Sequence, residues 1–133
     1  MSTSGSYPPI PGLAALWKIT KGDRRVTIAV IDGPVDVSHP CFAGVPLQTL
    51  TLKGRAPVMC RSKAQGSCNH GTQIASLLFA QHGCGPVWGI APQCRGLIVP
   101  IFRDNPLVAG GVLPTAQSDL ASAIDLARER GDN

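Results

Sequence analysis

The chain has 133 residues, 44% of them hydrophobic, with 15 Gly, 12 Pro, five Cys and a formal charge of +4. That length supports one domain with a core, the apolar content excludes a disordered chain, and so many glycines and prolines predict short elements between frequent turns. The basic residues are scattered, and the densest group (Lys53, Arg55, Arg61, Lys63) has no aromatic among it, so it reads as a solvated loop rather than a nucleic-acid face.

Residues 1–9 read as a flexible lead. They lack the charged and apolar regions of a secretory signal, and no apolar run in the chain approaches the roughly 18 residues of a membrane span. Residues 10–17 predict a short helical turn with Leu13, Leu16 and Trp17 on one side, and Trp17 as a core or lid residue. After a polar connection, residues 26–31 form a nearly unbroken apolar run, which predicts a strand buried on both faces, as in a parallel sheet. It ends in Asp32 and Gly33. Functional groups of open α/β sheets gather beyond the carboxyl ends of strands, so Asp32 stands where chemistry is expected. Taken alone it reads first as a cap for the turn that follows, and only a second motif makes it chemical.

Residues 45–52 alternate apolar and polar, the pattern of a half-buried strand, and 53–69 read as loop. Residues 69–80 predict a helix. Ile74, Leu77 and Leu78 follow helical spacing, Ala75 and Phe79 widen the stripe, Asn69 is the expected N-cap, and His70 falls at the first helical position. Residues 95–102 are the second long apolar run and predict another buried parallel strand. Residues 115–130 predict a helix that buries Leu120, Ala121, Ala123, Ile124 and Ala127. Thr115 suits its start, Asp119 its first turn, Arg128 and Arg130 its last, and Gly131 the C′ position. The order is that of an α/β protein: a parallel sheet with flanking helices and right-handed crossovers, left incomplete with an open edge.

The five cysteines (Cys41, Cys60, Cys68, Cys84, Cys94) are odd in number and form no CxxC. With no signal sequence they predict free thiols and a cytoplasmic location, with Cys41 and Cys94 as small buried fillers. His39 and His82 read as structural or exposed. Asp32 and His70 are the pair that suggests chemistry. They lie 70 − 32 = 38 residues apart, one at a strand end and one at a helix start, and a carboxylate beside an imidazole fixes its tautomer for proton transfer.

Asp32 within Val30-Ile31-Asp32-Gly33-Pro34-Val35-Asp36, and His70-Gly71-Thr72-Gln73-Ile74-Ala75-Ser76, resemble the aspartate and histidine motifs of subtilisin-like serine proteases. Ile10-Pro11-Gly12-Leu13, His39-Pro40-Cys41-Phe42 and Gly89-Ile90-Ala91-Pro92-Gln93-Cys94-Arg95-Gly96-Leu97-Ile98-Val99-Pro100-Ile101-Phe102 resemble the cyanobactin-maturation branch, over residues 10–130 in all. The resemblance implies a subtilisin-like fold, Asp32 and His70 as catalytic residues, no cofactor or metal, and a ribosomal precursor peptide as substrate. It also implies that residues 10–133 are the N-terminal portion of a peptidase domain. Two departures are Gly33-Pro34, where most of the family has Ser or Thr then Gly, and Gln73-Ile74, where it has His-Val.

None of Ser62, Ser67, Ser76, Ser118 or Ser122 has the Gly-Thr-Ser flanks of the family nucleophile, so these residues by themselves are expected to be inactive. The 37 residues between Asp32 and His70 (70 − 32 − 1) leave no room for the helical insert of the macrocyclases, which favours cleavage, although Ile10-Pro11-Gly12-Leu13 looks more like the macrocyclase arm. Other readings are a non-catalytic interaction module, and a zinc module built on Cys68, His70, His82 and Cys84 without the usual paired-cysteine spacing.

Overall fold

The computed structural model describes residues 9–61 and 65–131. All but Pro9 of the predicted flexible lead lies outside them, as do Ser62 and Lys63. The elements are α1 (Leu13–Trp17), β1 (Thr27–Asp32), a 3₁₀ turn (Pro40–Phe42), β2 (Leu47–Thr49), α2 (Gly66–Phe79), β3 (Arg95–Pro100) and α3 (Gln117–Gly131). The sheet runs β1-β3-β2 with both pairings parallel. Asp32 is paired with Pro100 at the carboxyl end.

β3 is the spine, buried from Gly96 to Pro100. Alternation along it divides the core. Ile98 packs with Val30, Phe42, Ala75 and Phe79 beneath α2, while Leu97 and Val99 pack with Leu50, Leu52 and Ala123 beneath α3. Gly96 permits this: a Cβ there would stand 2.9 Å from the Phe79 ring, which lies over the strand instead. The result is the predicted α/β architecture, a parallel sheet between helices.

The helices differ from expectation in ways that matter. α2 begins at Gly66, so His70 is its fifth residue, and Asn69 is not the cap but donates its N–H to the Gln65 carbonyl at 2.9 Å. The buried stripe is Cys68, Gly71, Ala75 and Phe79, with Ile74, Leu77 and Leu78 half-buried at its margin. On α3 only Ala123 is buried. Ala121 is exposed, Leu120 and Ile124 are 42% and 52% exposed, and Leu126 and Ala127 pack instead. The Thr115 hydroxyl has no partner and caps nothing, and Gly131 belongs to the helix. Leu16, expected on the packed side of α1, is exposed while Leu13 is buried.

β1 is not buried on both faces: Val30 is buried and Ala29 exposed. β2 is only three residues long, and the apolar pattern beyond it is satisfied by Leu50 and Leu52, which reach the core from the segment after the strand. No helix among the described residues is long and apolar enough to cross a membrane.

One contact sets the distance between sheet and helix. A Cβ on Gly71 would stand 2.5 Å from the carbonyl oxygens of Gly33 and Pro34, and a Cβ on Gly33 would overlap the Ser67 carbonyl. All of these obstacles are backbone and cannot rotate away. Gly71→Ala is therefore expected to lower the unfolding free energy by about 2–3 kcal/mol, measured by denaturant titration. An unchanged midpoint would show that the helix can stand off from the strand end at no cost.

Candidate active site

The site lies where β1 ends against the second turn of α2. Asp32 Oδ1 accepts the Gly33 N–H at 2.5 Å and meets His70 Nδ1 at 2.9 Å. The Asp32 carbonyl is also engaged, accepting the Ile101 N–H at 2.8 Å where the chain leaves β3. The Asp32 side chain is 17% exposed and the His70 side chain 63%. The carboxylate is thus sheltered and aimed, while the imidazole stands open. A carboxylate at Nδ1 makes that nitrogen the donor, so the neutral ring carries its proton there and Nε2 is left as an acceptor.

Further ties hold the arrangement. The Asp36 N–H donates to Thr72 Oγ1 at 3.0 Å, fastening the loop after β1 to α2. Asp36 in turn accepts from the Ser38 N–H and hydroxyl. A cleft of about 220 Å³ beside the pair is lined by Asp32, Ser67, His70, Phe102 and Val112. A second, of about 440 Å³, is lined by Asp36, His39, Cys60, Arg61, Cys68, Asn69 and Thr72.

The Ser67 carbonyl occupies the space that a side chain at residue 33 would need, so glycine is the residue that fits there.

Among the described residues no serine hydroxyl bonds to His70. Ser67 is buried at the cleft, Ser76 donates to the Gln73 carbonyl within its own helix at 2.7 Å, and Ser118 and Ser122 are exposed on α3.

The expectation of five free thiols fails. Cys60 and Cys68 are joined in a disulfide with a Cα–Cα distance of 5.3 Å, and Cys41, Cys84 and Cys94 are free. The early start of α2 places Cys68 inside the helix, and the preceding loop folds back to meet it. A spacing of eight residues carries no motif that would have announced this pair, and the thiol half of the cytoplasmic argument goes with it. Of the two expected fillers, Cys94 is buried and Cys41 half-buried; burial, with Cys84 and Asp36 nearby, pushes the Cys41 thiol up to about 11.

The zinc reading fails on the same residues. Cys68 is oxidised and His70 is turned to Asp32. His82 stacks on Trp88 with centroids 4.8 Å apart, meets Trp17 edge-on at 4.3 Å, and bonds through Nε2 to the Gly89 carbonyl. Among the described residues no group of three or more His, Cys, Asp or Glu is placed to hold a metal ion.

No protein-family model matches the chain. Among curated proteins, the thermophilic serine proteinase of Bacillus sp. (strain AK1) is 34% identical over 116 residues, 86% of this chain and 26% of that protein. Among solved structures, the prenylagaramide maturation protease PagA is 46% identical with a TM-score of 0.70, covering 92% of this chain and 37% of its own. A PatG macrocyclase in complex with peptide is 25% identical with a TM-score of 0.69, covering 92% and 45%. The chain thus spans between a quarter and a half of the length of these relatives. In sequence and in fold the chain is similar to subtilisin-like serine proteases, and the solved structures it resembles include cyanobactin maturation proteases.

Two measurements check this geometry. At a pH where imidazole is neutral, nitrogen NMR should find His70 as the Nδ1–H tautomer. His82, donating from Nε2 to Gly89, and His39, accepting the Cys41 N–H on Nδ1, should both be Nε2–H. A shared tautomer would contradict the site. Thiol titration in denaturant should count three thiols before reduction and five after. Cys60→Ser should cost about 2–3 kcal/mol of stability, as expected for closing so short a loop.

Proposed function

We propose that Asp32 and His70 are the aspartate and histidine of the catalytic triad of a subtilisin-like serine peptidase that processes a ribosomal precursor peptide of the cyanobactin type. On this reading residues 10–133 are the N-terminal portion of its peptidase domain, and the nucleophile is a serine outside these 133 residues. His70 Nε2 takes the serine proton as the hydroxyl attacks the scissile carbonyl, then returns it to the leaving amine. Asp32 holds the ring in the tautomer this requires and stabilises the imidazolium formed in between. The observation that carries the reading is the 2.9 Å bond between a sheltered carboxylate and an open imidazole at the carboxyl end of a parallel strand.

A peptide substrate is supported by the bound peptide of the PatG macrocyclase, and no nucleic acid or membrane enters the reading. Cleavage is favoured over cyclisation. Between Asp32 and Gly66 the described residues form only the 3₁₀ turn and β2, with no helix over the cleft, and identity is higher to the maturation protease than to the macrocyclase.

The test uses the protein that carries this chain together with its serine. Asp32→Asn should lower kcat for precursor-peptide cleavage by about 10⁴-fold and His70→Ala by about 10⁶-fold, each with little change in KM. Cleavage that survives His70→Ala would remove the proposed base.

A further inference from the structure

The start of α2 presents a problem that local sequence does not solve. The first N–H groups of a helix have no partner within it. Gln65, at the N-cap position, makes no side-chain cap, and the first turn contains no acid. The missing acceptor arrives from 37 residues further along the chain. Asp104 Oδ1 accepts the Ser67 N–H at 2.9 Å, and its Oδ2 accepts the Gln65 side-chain amide at 2.7 Å. These bonds hold the Asp104 carboxyl below the ordinary carboxylate range.

Asp104 is itself built into a tight hairpin-like loop. It bridges Val112, Asn105 donates its N–H to the Gly111 carbonyl at 2.9 Å, and Leu113 to the Arg103 carbonyl at 2.8 Å. The same loop presses on the helix: a Cβ on Gly66 would overlap the Gly110 carbonyl. Val112 in turn lines the cleft beside Asp32 and His70. One carboxylate therefore joins the beginning of the histidine helix to a wall of the site.

We propose that Asp104 is a positioning residue for the Asp32–His70 pair. It fixes the height of α2 against the strand end from the solvent side, as Gly33 and Gly71 fix it from the sheet side. His70 follows Ser67 by less than one turn, so a helix start that loses its anchor moves the imbalance directly onto the Nδ1–carboxylate bond. This role rests on the reading of Asp32 and His70 as the working pair, and its test uses no cleavage assay, so failure of the role and failure of that reading are distinguishable.

The test is the tautomer state of the three histidines, by nitrogen NMR at a pH where imidazole is neutral, in Asp104→Ala, Asp104→Glu and Asp104→Asn. Asp104→Glu keeps the charge but carries the carboxylate past the Ser67 N–H; Asp104→Asn keeps an acceptor for the Ser67 N–H and loses the charge and the acceptor for the Gln65 amide. The Nδ1–H fraction of His70 should fall by about twofold or more in the Ala and Glu variants and hold in the Asn variant, with His39 and His82 unchanged. Should Asp104→Ala not fold, the Glu and Asn variants decide alone. A His70 fraction unmoved by Asp104→Glu overturns the proposal, as does a change shared by all three histidines, which would report general loosening. If His70 in the parent protein lacks the Nδ1–H tautomer, the Asp32–His70 reading itself falls and Asp104 loses its role with it.

Discussion

Gly33 and Gly71 let the backbone at the end of β1 touch the backbone of α2, and the site depends on that approach. An aspartate has a short reach. Its carboxylate meets an imidazole on a neighbouring helix only if the two backbones come closer than side chains at the contact would allow. Here a carbonyl fills the place of each missing Cβ: Ser67 for residue 33, and Gly33 and Pro34 for residue 71. The pairing of Asp32 with His70 at 2.9 Å follows from that spacing.

The ion pair is a product of the scaffold and not a support for it. A histidine side chain left 63% exposed gains little from its partner in water. The chain is stabilised elsewhere, by the two apolar layers that meet along β3, where Ile98, Val99 and Phe79 are fully buried. The ties around the start of α2 serve a different end. The Asp104 carboxylate, the Cys60–Cys68 disulfide and the Asp36–Thr72 bond all converge on its first two turns, while its last turn is held by the Ile90 and Ala91 N–H groups on the Leu77 and Leu78 carbonyls. A helix fixed at both ends suits a proton-transfer pair, since a displacement of about 1 Å can cost two orders of magnitude in rate.

The sequence was most legible where a pattern and its cause are local. The apolar run through Ile98 and Val99 predicted a buried parallel strand, and it forms β3; the acid closing the first run lies at a strand end, beside the histidine of the next long helix. It was least legible where remote residues decide. The beginning of α2 is set by Asp104 and Cys60, neither of which shows in a helical window, so Asn69 looked like a better cap than Gln65. The apolar face of α3 follows helical spacing well, yet Leu120 and Ile124 remain exposed because the described sheet covers only the stripe around Ala123. A periodic pattern shows which face is apolar; what lies against that face is a separate fact.

The most direct measurement is crystallographic: the separation of His70 Nδ1 from the Asp32 carboxylate in the protein and in its Gly71→Ala variant. The account predicts 2.9 Å in the first and a broken hydrogen bond in the second, with α2 displaced from the strand end. A pair that stays bonded in the variant, or is already apart in the parent, would contradict it.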